Sequence, residues 1–539
     1  MHHDSGDAQQ FILSGDPSMS SGRAEDDSET TGSQAPTEAG DDSVARPKIR
    51  FSNALSWSYV LTSTRLAMTL LVSLVLARLL GPEAFGLVAM GLAFIAFIEL
   101  LAKQGLSNAI IQQVDLRIAH FQAAFWLIAV AILVLTPLAM LSSAWWAAIN
   151  ETPRLHPVLL WLSLLVPLKG LAVVPEAQLM RAMDFRALAI RAFVATAIGG
   201  MVGIIAALLG AGVWALVAQQ LTMAAIELAL VWQLSNWLPQ LRFEKQRAKE
   251  LLGFSSKITL ASFAVYLERQ ADSLLIGLFF GPVIVGLYRM ANRLASVARE
   301  LASGAVRSTY LPELARFEDD REAFLARSLE LLRISMLLAL PLLGALVSLA
   351  RPILGILGDE WLPALVALQM LAIAMAFGCV TQYAGPLLQA IGRPGLFATT
   401  SAVTATLSVA AFLSAGLLTT DGDSAAQVTL VAGARAGAIL VGLVLVILPV
   451  LQRVVGIRPS AFLRTVAPTV LATSIGVGAA FATRAGTRKV WPGSDLADIA
   501  TSGTLYALAV TGVLVLTEPL VQRGCRALVR RMKSKDDQH

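Results

Sequence analysis

Charged side chains recur inside the apolar stretches of this sequence, and they are the residues that could bind a polar ligand. Residues 285–311 carry Arg289, Arg293, Glu300 and Arg307, which on an α-helix fall within roughly 40° of one face. A charge inside a membrane is costly, so it normally faces a partner or a water-filled cavity. An arginine fork pairs two phosphate oxygens and stays protonated. The stripe therefore predicts a polar interior suited to a phosphate-bearing lipid.

Other apolar stretches carry charges that fit the same pattern. Residues four apart share a helical face, so Glu268 is aligned with Asp272, and Glu99 with Lys103. Arg65 lies near the middle of its own stretch. The alternative is that these groups form internal ion pairs that hold helices together. Arg289 and Arg307, near the ends of their span, would then extend to the membrane interface.

A second set of intramembrane charges is expected to be structural. Lys169 and Glu176 are seven residues apart and would share a helical face as a pair. Glu227 and Arg435 fall in corresponding stretches of the two halves of the chain. Each is expected to line a cavity wall or to form an ion pair.

The elements that carry these charges are predicted to be membrane-spanning helices. Of the 539 residues, 56% are hydrophobic and 15% charged, against roughly 25% charged in soluble domains. We expect an all-α polytopic membrane protein with about fourteen spans of roughly 20 residues each. The expected spans are 54–80, 85–112, 121–148, 156–179, 186–210, 213–239, 255–280, 285–311, 328–350, 363–390, 395–418, 425–451, 463–483 and 500–522.

Two similar turns indicate two related halves. Gly81-Pro82 and Gly281-Pro282 each separate two long apolar stretches. Proline cannot continue a helix, and glycine tolerates the dihedral angles of a turn. A duplicated chain with its site between the halves is a recurrent transporter plan. We expect an acidic disordered tail (1–47), an N-lobe of six helices (48–240), a C-lobe of six (241–452), a helix pair (453–523) and a basic tail (524–539).

Loop charges predict the orientation. With the N-terminus in the cytoplasm, most loop lysines and arginines fall on the cytoplasmic side, as the positive-inside rule requires. The acidic start of the chain does not resemble a cleavable signal peptide, so the first span would be an uncleaved anchor. Trp145, Trp146, Trp161 and Trp361 lie near expected span ends and are predicted to be interfacial belt residues.

Several short motifs resemble a known family when taken in order. The sequence is similar to bacterial polysaccharide transporters, the lipid-linked oligosaccharide flippases of the multidrug/oligosaccharidyl-lipid/polysaccharide exporter superfamily. Each motif is loose alone, but order and spacing together are specific over about residues 50 to 450. The matching stretches are ALSWSY (54–59), ARLLGPEAFG (77–86), PEAQLMR (175–181), DFR (184–186), GAGVWAL (210–216), RQADSLLIG (269–277), GLYR (286–289), LGDEW (357–361) and GRPG (392–395).

The resemblance implies two six-helix lobes around a cationic cavity that receives an oligosaccharide on undecaprenyl pyrophosphate. It makes Arg65, Arg289 and Arg293 the first candidates for pyrophosphate contact. The second candidates are Arg269, Lys103 and Arg299. The carboxylates Glu268, Asp272 and Glu99 would pair with these cations or bind a coupling proton or Na⁺.

The sequence thus predicts a non-enzymatic flippase of the bacterial inner membrane. It would move repeat units for exopolysaccharide or lipopolysaccharide by alternating access, with lipid-linked oligosaccharide, membrane lipids and the polymerase and export machinery as partners, and with no nucleic acid. The alternatives are a drug or cation exporter of the same superfamily and a polytopic glycosyltransferase or polymerase. Lipid II is a further possible cargo.

Other chemistries find little support in the residues. Two cysteines and five scattered histidines give neither a disulfide framework nor metal-ligand spacing. The chain contains no phosphate-binding Gly-x-x-x-x-Gly-Lys-Ser/Thr loop, so ATP is not its expected energy source. Asp421-Gly422-Asp423 matches the Asp-x-Asp of metal-dependent sugar transfer, but we expect only a turn there. No cofactor is expected beyond a coupling ion.

Overall fold

The computed structural model describes residues 51–103, 106–112, 118–235, 237–240, 244–317, 320–418, 422–490 and 495–522. Regular structure in these ranges is entirely helical, which confirms the expected all-α membrane class. The two predicted tails and Asp421 lie outside the described residues. The predicted lobe boundaries remain predictions.

The helices of the first half run from α1 to α8. They are α1 (Phe51–Lys103), α2 (Leu106–Gln112), α3 (Ile118–Ile149), α4 (Leu155–Leu162), α5 (Leu165–Gly170), α6 (Val173–Arg181), α7 (Phe185–Leu208) and α8 (Val213–Ser235).

The helices of the second half run from α9 to α16, and π-helical turns join α13 to α14. They are α9 (Lys245–Leu314), α10 (Arg321–Leu357), α11 (Leu365–Ala390), α12 (Pro394–Leu417), α13 (Ser424–Gly442), α14 (Leu448–Val450), α15 (Pro459–Val490) and α16 (Asp495–Thr517).

The two longest helices break where the sequence places the Gly-Pro turns. Gly81 in α1 has φ 72° and ψ 173°, and Gly281 in α9 has φ 77° and ψ −177°. Glycine adopts this positive φ without the strain a side chain would add. Each break divides its helix into two limbs, so the predicted turns are confirmed.

The expected count of fourteen spans is not confirmed. Twelve helices in the described part of the chain are long and apolar enough to cross a membrane. Two of these, Thr64–Lys103 and Gln270–Ala302, contain the Gly81 and Gly281 breaks. The count of fourteen depends on dividing those two, so it stays a prediction.

The fourth expected span is not one continuous helix. Between Leu155 and Arg181 the chain forms α4, α5 and α6, separated by turns at residues 163–164 and 171–172. A proline clashes with the carbonyl four residues before it and offers no N–H to bond it. Pro167 and Pro175 disturb the carbonyls of Ser163 and Leu171 in this way, which accounts for the position of each interruption.

The Gly-Pro turns of α1 and α9 pack directly against each other. Gly86 contacts the backbone of Pro282, and Gly286 contacts the backbone of Pro82. This reciprocal contact is what a two-fold relation between the halves requires. We call the end of the helices that carries residues 81 and 281 the turn end.

The last two helices pack on α10 rather than standing apart. Tyr506 of α16 is buried against α10 and donates a 2.6 Å hydrogen bond to the carbonyl oxygen of Pro341. Glu518, just beyond α16, is fully buried and pairs with Arg333 of α10 at 3.5 Å. The pair α15–α16 is thus attached to α10 by polar contacts as well as by apolar ones.

Candidate functional site

The charged stretches predicted from the sequence lie on the two broken helices. Arg65 is on the first limb of α1 and Glu99 and Lys103 on the second, while Asp272 and Arg289 lie on the first and second limbs of α9. α1 and α9 pack against each other along their lengths. The fold therefore brings together the helices that the charge pattern singled out.

Glu99 forms ion pairs with two lysines. Its Oε2 lies 3.4 Å from Lys103 Nζ, and its Oε1 lies 2.9 Å from Lys169 Nζ on α5. The internal pair of Glu99 with Lys103 is therefore present. The expected pair of Lys169 with Glu176 is wrong, because Glu176 instead binds Arg191 of α7 at 3.0 Å. The interruption between α5 and α6 separates Lys169 from Glu176 and removes the shared face that an unbroken helix would provide.

Asp272, on the first limb of α9, is a buried acid beside a partly exposed cation. Its Oδ1 accepts hydrogen bonds from the backbone N–H of Ser273 at 2.7 Å and from the Ser273 hydroxyl at 3.3 Å. Arg289 Nη1 lies 3.5 Å from the same oxygen, and the Arg289 side chain is 33% exposed. Asp272 thus positions Arg289 without enclosing it.

Two polar contacts cross between the broken helices. Arg293 Nη2 donates to the carbonyl oxygen of Thr69 at 3.2 Å, and the Tyr266 hydroxyl donates to the carbonyl oxygen of Ala93 at 3.0 Å. Each joins one limb of α9 to the opposite limb of α1. A guanidinium has five N–H donors, so the contact to Thr69 orients Arg293 while using one of them.

The remaining candidates are less well defined by the structure. The Arg65 side chain is exposed. Arg299 lies beside Gly378 of α11, with Nη1 3.8 Å from the place a Cβ would occupy there. The side chains of Glu268, Arg269 and Arg307 lie outside the described residues. Whether any candidate binds substrate stays a prediction.

The structure adds charged residues that sequence reasoning set aside. Glu227 of α8 lies within electrostatic range of Arg65, Lys169, Arg191 and Glu176. These groups extend the polar region from α1 across α5, α6 and α7. The signal was in the sequence, because each is an ionisable residue in or at the end of an apolar stretch. Their spacing could not show that separate helices bring them together.

Arg435 was expected to line a cavity or to form a pair. Its Nη1 donates to the hydroxyl of Ser408 on α12 at 2.5 Å. Tyr288, which precedes Arg289, is fully buried and lies within electrostatic range of Arg435 and Asp272. Arg435 and the Asp272–Arg289 pair therefore lie near the same buried tyrosine, and whether Arg435 lines a cavity stays a prediction.

The turn end is closed by contacts between α1 and the α10–α11 region. Arg78 donates to the carbonyl oxygen of Ile356, and Trp361 Nε1 donates to the carbonyl oxygen of Ala77 at 3.1 Å. Trp361 is fully buried, so its prediction as a belt residue is wrong. Its indole fills the space beside the ring of Phe85, where it meets the backbone of α1. Trp145 and Trp161 are exposed, as belt residues would be.

A groove of about 790 Å³ lies among α11, α12 and α13. Its lining is uncharged and rich in small side chains, including Ser414, Thr429 and Gly433. The lining therefore offers no cation to a phosphate. We therefore locate the candidate site at the charged residues of α1, α5 and α9.

The chain is similar in sequence to two curated proteins. Succinoglycan biosynthesis transport protein ExoT of Rhizobium meliloti is 27% identical over 341 residues, which cover 63% of this chain and 69% of that protein. Lipopolysaccharide biosynthesis protein WzxC of Escherichia coli is 25% identical over 352 residues, which cover 62% of this chain and 69% of that protein.

Solved structures share the fold. The lipid II flippase MurJ in an inward closed conformation superimposes with a TM-score of 0.67 at 14% identity, covering 85% of this chain and 98% of that one. An inward-facing multidrug resistance transporter of the MATE family gives 0.55 at 16% identity, covering 71% and 94%. The model of one protein family, described as polysaccharide biosynthesis protein, matches residues 75–366. That match spans more than half of the chain, and the chain therefore belongs to the polysaccharide biosynthesis protein family.

Proposed function

We propose that this protein is a flippase that moves lipid-linked oligosaccharide repeat units across a membrane for exopolysaccharide or lipopolysaccharide synthesis. The observation that carries the proposal is the presence of two groups of cations inside apolar spans, one in each half of the chain: Lys103 and Lys169 around Glu99, and Arg289 and Arg293 near Asp272. Cations there are suited to a diphosphate headgroup. The named functions of ExoT and WzxC support the same class of cargo.

The cargo chemistry follows from the balance of charge. Among the described side chains of the polar region, the cations outnumber the carboxylates, which include Glu99, Asp272, Glu176 and Glu227. A carrier of organic cations would need the opposite balance. An undecaprenyl diphosphate brings several negative charges and a chain that remains in the bilayer, so only its headgroup has to cross within the protein.

The closed turn end supports an order of events. Loop charges support an N-terminus in the cytoplasm, and we propose that the protein lies in a bacterial inner membrane, which would put the turn end at the outer face. The described conformation is then closed to the outside by Arg78 and Trp361. Cargo would load from the cytoplasmic leaflet, and rocking of the two halves would open the turn end. No bond of the cargo is made or broken, so the protein is a transporter and not an enzyme.

The energy source we propose is an ion gradient. Glu99 and Asp272 are the described carboxylates placed to bind a coupling proton or Na⁺ while a cation beside them is taken up by cargo. The polymerase and export machinery are the expected partners that consume the transported unit.

Reconstitution tests this function directly. Purified protein in vesicles should transfer an undecaprenyl-diphosphate-linked oligosaccharide to the opposite leaflet, measured by access of a membrane-impermeant lectin to the sugar. Empty vesicles are the control. Transport of organic cations with indifference to lipid diphosphates would identify a cation exporter, and polymer formed without any other enzyme would identify a polymerase.

A further inference from the structure

The buried face of α16 is polar, although this helix is long and apolar enough to cross a membrane. Every fourth residue along the face is buried, and Asp498, Ser502 and Tyr506 belong to it, as does Glu518 just beyond the helix. From Asp498 to Glu518 the chain rises about 30 Å at 1.5 Å per residue, which is the thickness of a hydrocarbon core. Polar groups on this face therefore extend from one side of the membrane to the other.

The face is apolar only at Val510 and Leu514, and α15 lies beside that gap. The two helices run antiparallel, because Arg484 Nε lies 3.5 Å from Asp498 Oδ2 while Gly476 contacts Val510. Residues of α15 that precede Gly476 are therefore level with the part of α16 that follows Val510.

Two threonines of α15 occupy that level. Thr469 and Thr473 are four residues apart and share a helical face, and Thr469 is fully buried. Thr473 and the hydroxyl of Tyr506 both contact Gly344 of α10, so the three helices meet there. We call the resulting series of side chains the polar row, which consists of Asp498, Ser502, Tyr506, Thr473, Thr469 and Glu518.

Several groups of the polar row contribute no hydrogen bond to the fold. The hydroxyls of Ser502 and Thr469 and both carboxylate oxygens of Glu518 are buried without a hydrogen-bond partner among the described residues. Buried polar groups normally bond to protein or to internal water, because leaving them unbonded is costly. An apolar side chain would hold the helices together better than such a hydroxyl does. Attachment of α15 and α16 to α10 therefore does not account for these groups.

An ion pair forms the extremity of the row nearest the turn end. The side chains of Asp498 and Arg484 are only 5% and 11% exposed. Asp495, one turn earlier on α16, contacts Gly355 of α10, and the next residue of α10, Ile356, accepts the hydrogen bond from Arg78 that closes the turn end. This extremity is therefore shielded in the described conformation, as the turn end itself is.

A second ion pair forms the opposite extremity. Glu518 is fully buried, whereas its partner Arg333 is 29% exposed, so the row reaches accessible space on this side. The Oε1–Nε distance of 3.5 Å exceeds the 2.7–2.9 Å of charge-assisted hydrogen bonds, so the pair is weak. Close by on α10, the carbonyl oxygen of Leu331 accepts a 3.3 Å hydrogen bond from Tyr310 of α9. The pair is thus joined through α10 to the broken helix of the candidate site.

We propose that the polar row is the path of a coupling proton and that Glu518 is the group that binds this proton. A proton enters beside Asp498 and passes along the hydroxyls and the internal water they hold. Each hydroxyl accepts a proton on one side and releases one on the other, so only O–H bonds form and break. The proton arrives on the carboxylate of Glu518, which becomes neutral and releases Arg333. It leaves toward the accessible side when the ion pair forms again.

The inference rests on the proposed function, in which an ion gradient drives the flippase. It adds Glu518 to the carboxylates Glu99 and Asp272, and it assigns the gradient to protons. Single hydroxyls spaced along a helix can relay a proton. They do not offer the several oxygens at one place that a metal cation such as Na⁺ needs.

Removal of an unbonded hydroxyl tests the path without weakening the fold. Full-length protein is placed in vesicles that hold lipid-linked oligosaccharide and a trapped pH-sensitive dye, and a proton gradient is imposed. Proton flux and lectin access to the sugar are recorded together. Thr469→Val and Ser502→Ala should each lower both rates about tenfold, and Glu518→Gln should abolish gradient-driven transport. Thermal unfolding of Thr469→Val and Ser502→Ala should be unchanged or shifted upward, because the lost hydroxyls make no bond.

Thr504→Val is the matched control. Thr504 lies on the exposed face of α16, and its hydroxyl donates to the carbonyl oxygen of Ala500. Its substitution should change neither proton flux nor transport. If the row only attached α15 and α16 to α10, Thr469→Val and Ser502→Ala would leave proton flux at the wild-type rate, and that result would overturn the inference.

The wild-type chain separates the path from the function. Cargo transfer without proton flux, or driven by a Na⁺ gradient alone, would make the path wrong and leave the flippase function standing. Proton flux that Thr469→Val blocks, without any cargo transfer, would support the path and contradict the function. Absence of both proton flux and cargo transfer would contradict both.

Discussion

Gly86 lies so close to Pro282 that a Cβ on it would stand 1.7 Å from the proline carbonyl oxygen. The reciprocal distance, from a Cβ on Gly286 to the carbonyl oxygen of Pro82, is 1.9 Å. Both neighbours are backbone atoms, which cannot rotate away as a side chain can. The closed turn end therefore requires glycine at both positions, and the two halves of the chain meet there without any side chain between them.

Gly86→Ala should prevent the turn end from closing. The methyl group forces the two turns apart, so transport should fall at least tenfold while the protein still folds. In a chain without its natural cysteines, Ala77→Cys should react with a membrane-impermeant thiol reagent faster when Gly86→Ala is present.

Gly437→Ala is the matched control for that experiment. A Cβ at this position of α13 meets no atom within 4 Å. Alanine favours a helix over glycine by up to about 1 kcal/mol, so stability should stay the same or rise. Unchanged labelling of Ala77→Cys in the Gly86→Ala chain would show that the turn contact does not keep this end closed.

Trp361→Phe should weaken closure of the same end by a smaller amount. It deletes the hydrogen bond to Ala77, worth about 1 kcal/mol, and keeps an aromatic ring beside Phe85. The population open at the turn end should rise several-fold, as measured by the same labelling. Trp145→Phe changes an exposed ring and should have no effect. Equal labelling rates in the two variants would contradict a role for the Trp361 bond.

Sequence reasoning could predict the elements of this fold but not their contacts. Apolar stretches of sufficient length gave the spans, and Gly81 and Gly281 gave the breaks, because both signals are local. The burial of Trp361 and the contact of Gly86 with Pro282 depend on tertiary packing, so they produce no pattern in the spacing of residues along the sequence. Only knowledge of which helices are neighbours could provide them.

The candidate site was predicted in part for the same reason. Charge inside an apolar stretch is a local signal, and it identified Glu99, Lys103, Asp272 and Arg289. The partner of Glu99 across helices, Lys169, was assigned to Glu176 instead, on the assumption of an unbroken helix. The prolines in that stretch indicate the interruption, because a proline can break a helix and change the direction of the side chains that follow it.

Arg333→Met should destabilise the attachment of α15 and α16 to α10. It leaves the carboxylate of Glu518 fully buried without its partner, which typically costs about 3–5 kcal/mol. The double variant Arg333→Met/Glu518→Leu should recover most of this loss, since both charges are gone. Thermal unfolding of the four proteins in a double-mutant cycle measures the coupling. A double variant no more stable than Arg333→Met would show that the ion pair is not what the single substitution disturbs.

Arg293→Lys should separate charge from fork geometry at the candidate site. Lysine keeps the positive charge but cannot offer two parallel N–H groups to a phosphate. If Arg293 binds the diphosphate as a fork, transport should fall about tenfold in Arg293→Lys and further in Arg293→Gln, as measured by lectin access in vesicles. Arg458→Gln, which removes an exposed arginine after α14, should transport normally. Wild-type transport by Arg293→Gln at equal expression would show that Arg293 does not bind the diphosphate. Its role would then be limited to the hydrogen bond to Thr69, which joins α9 to α1.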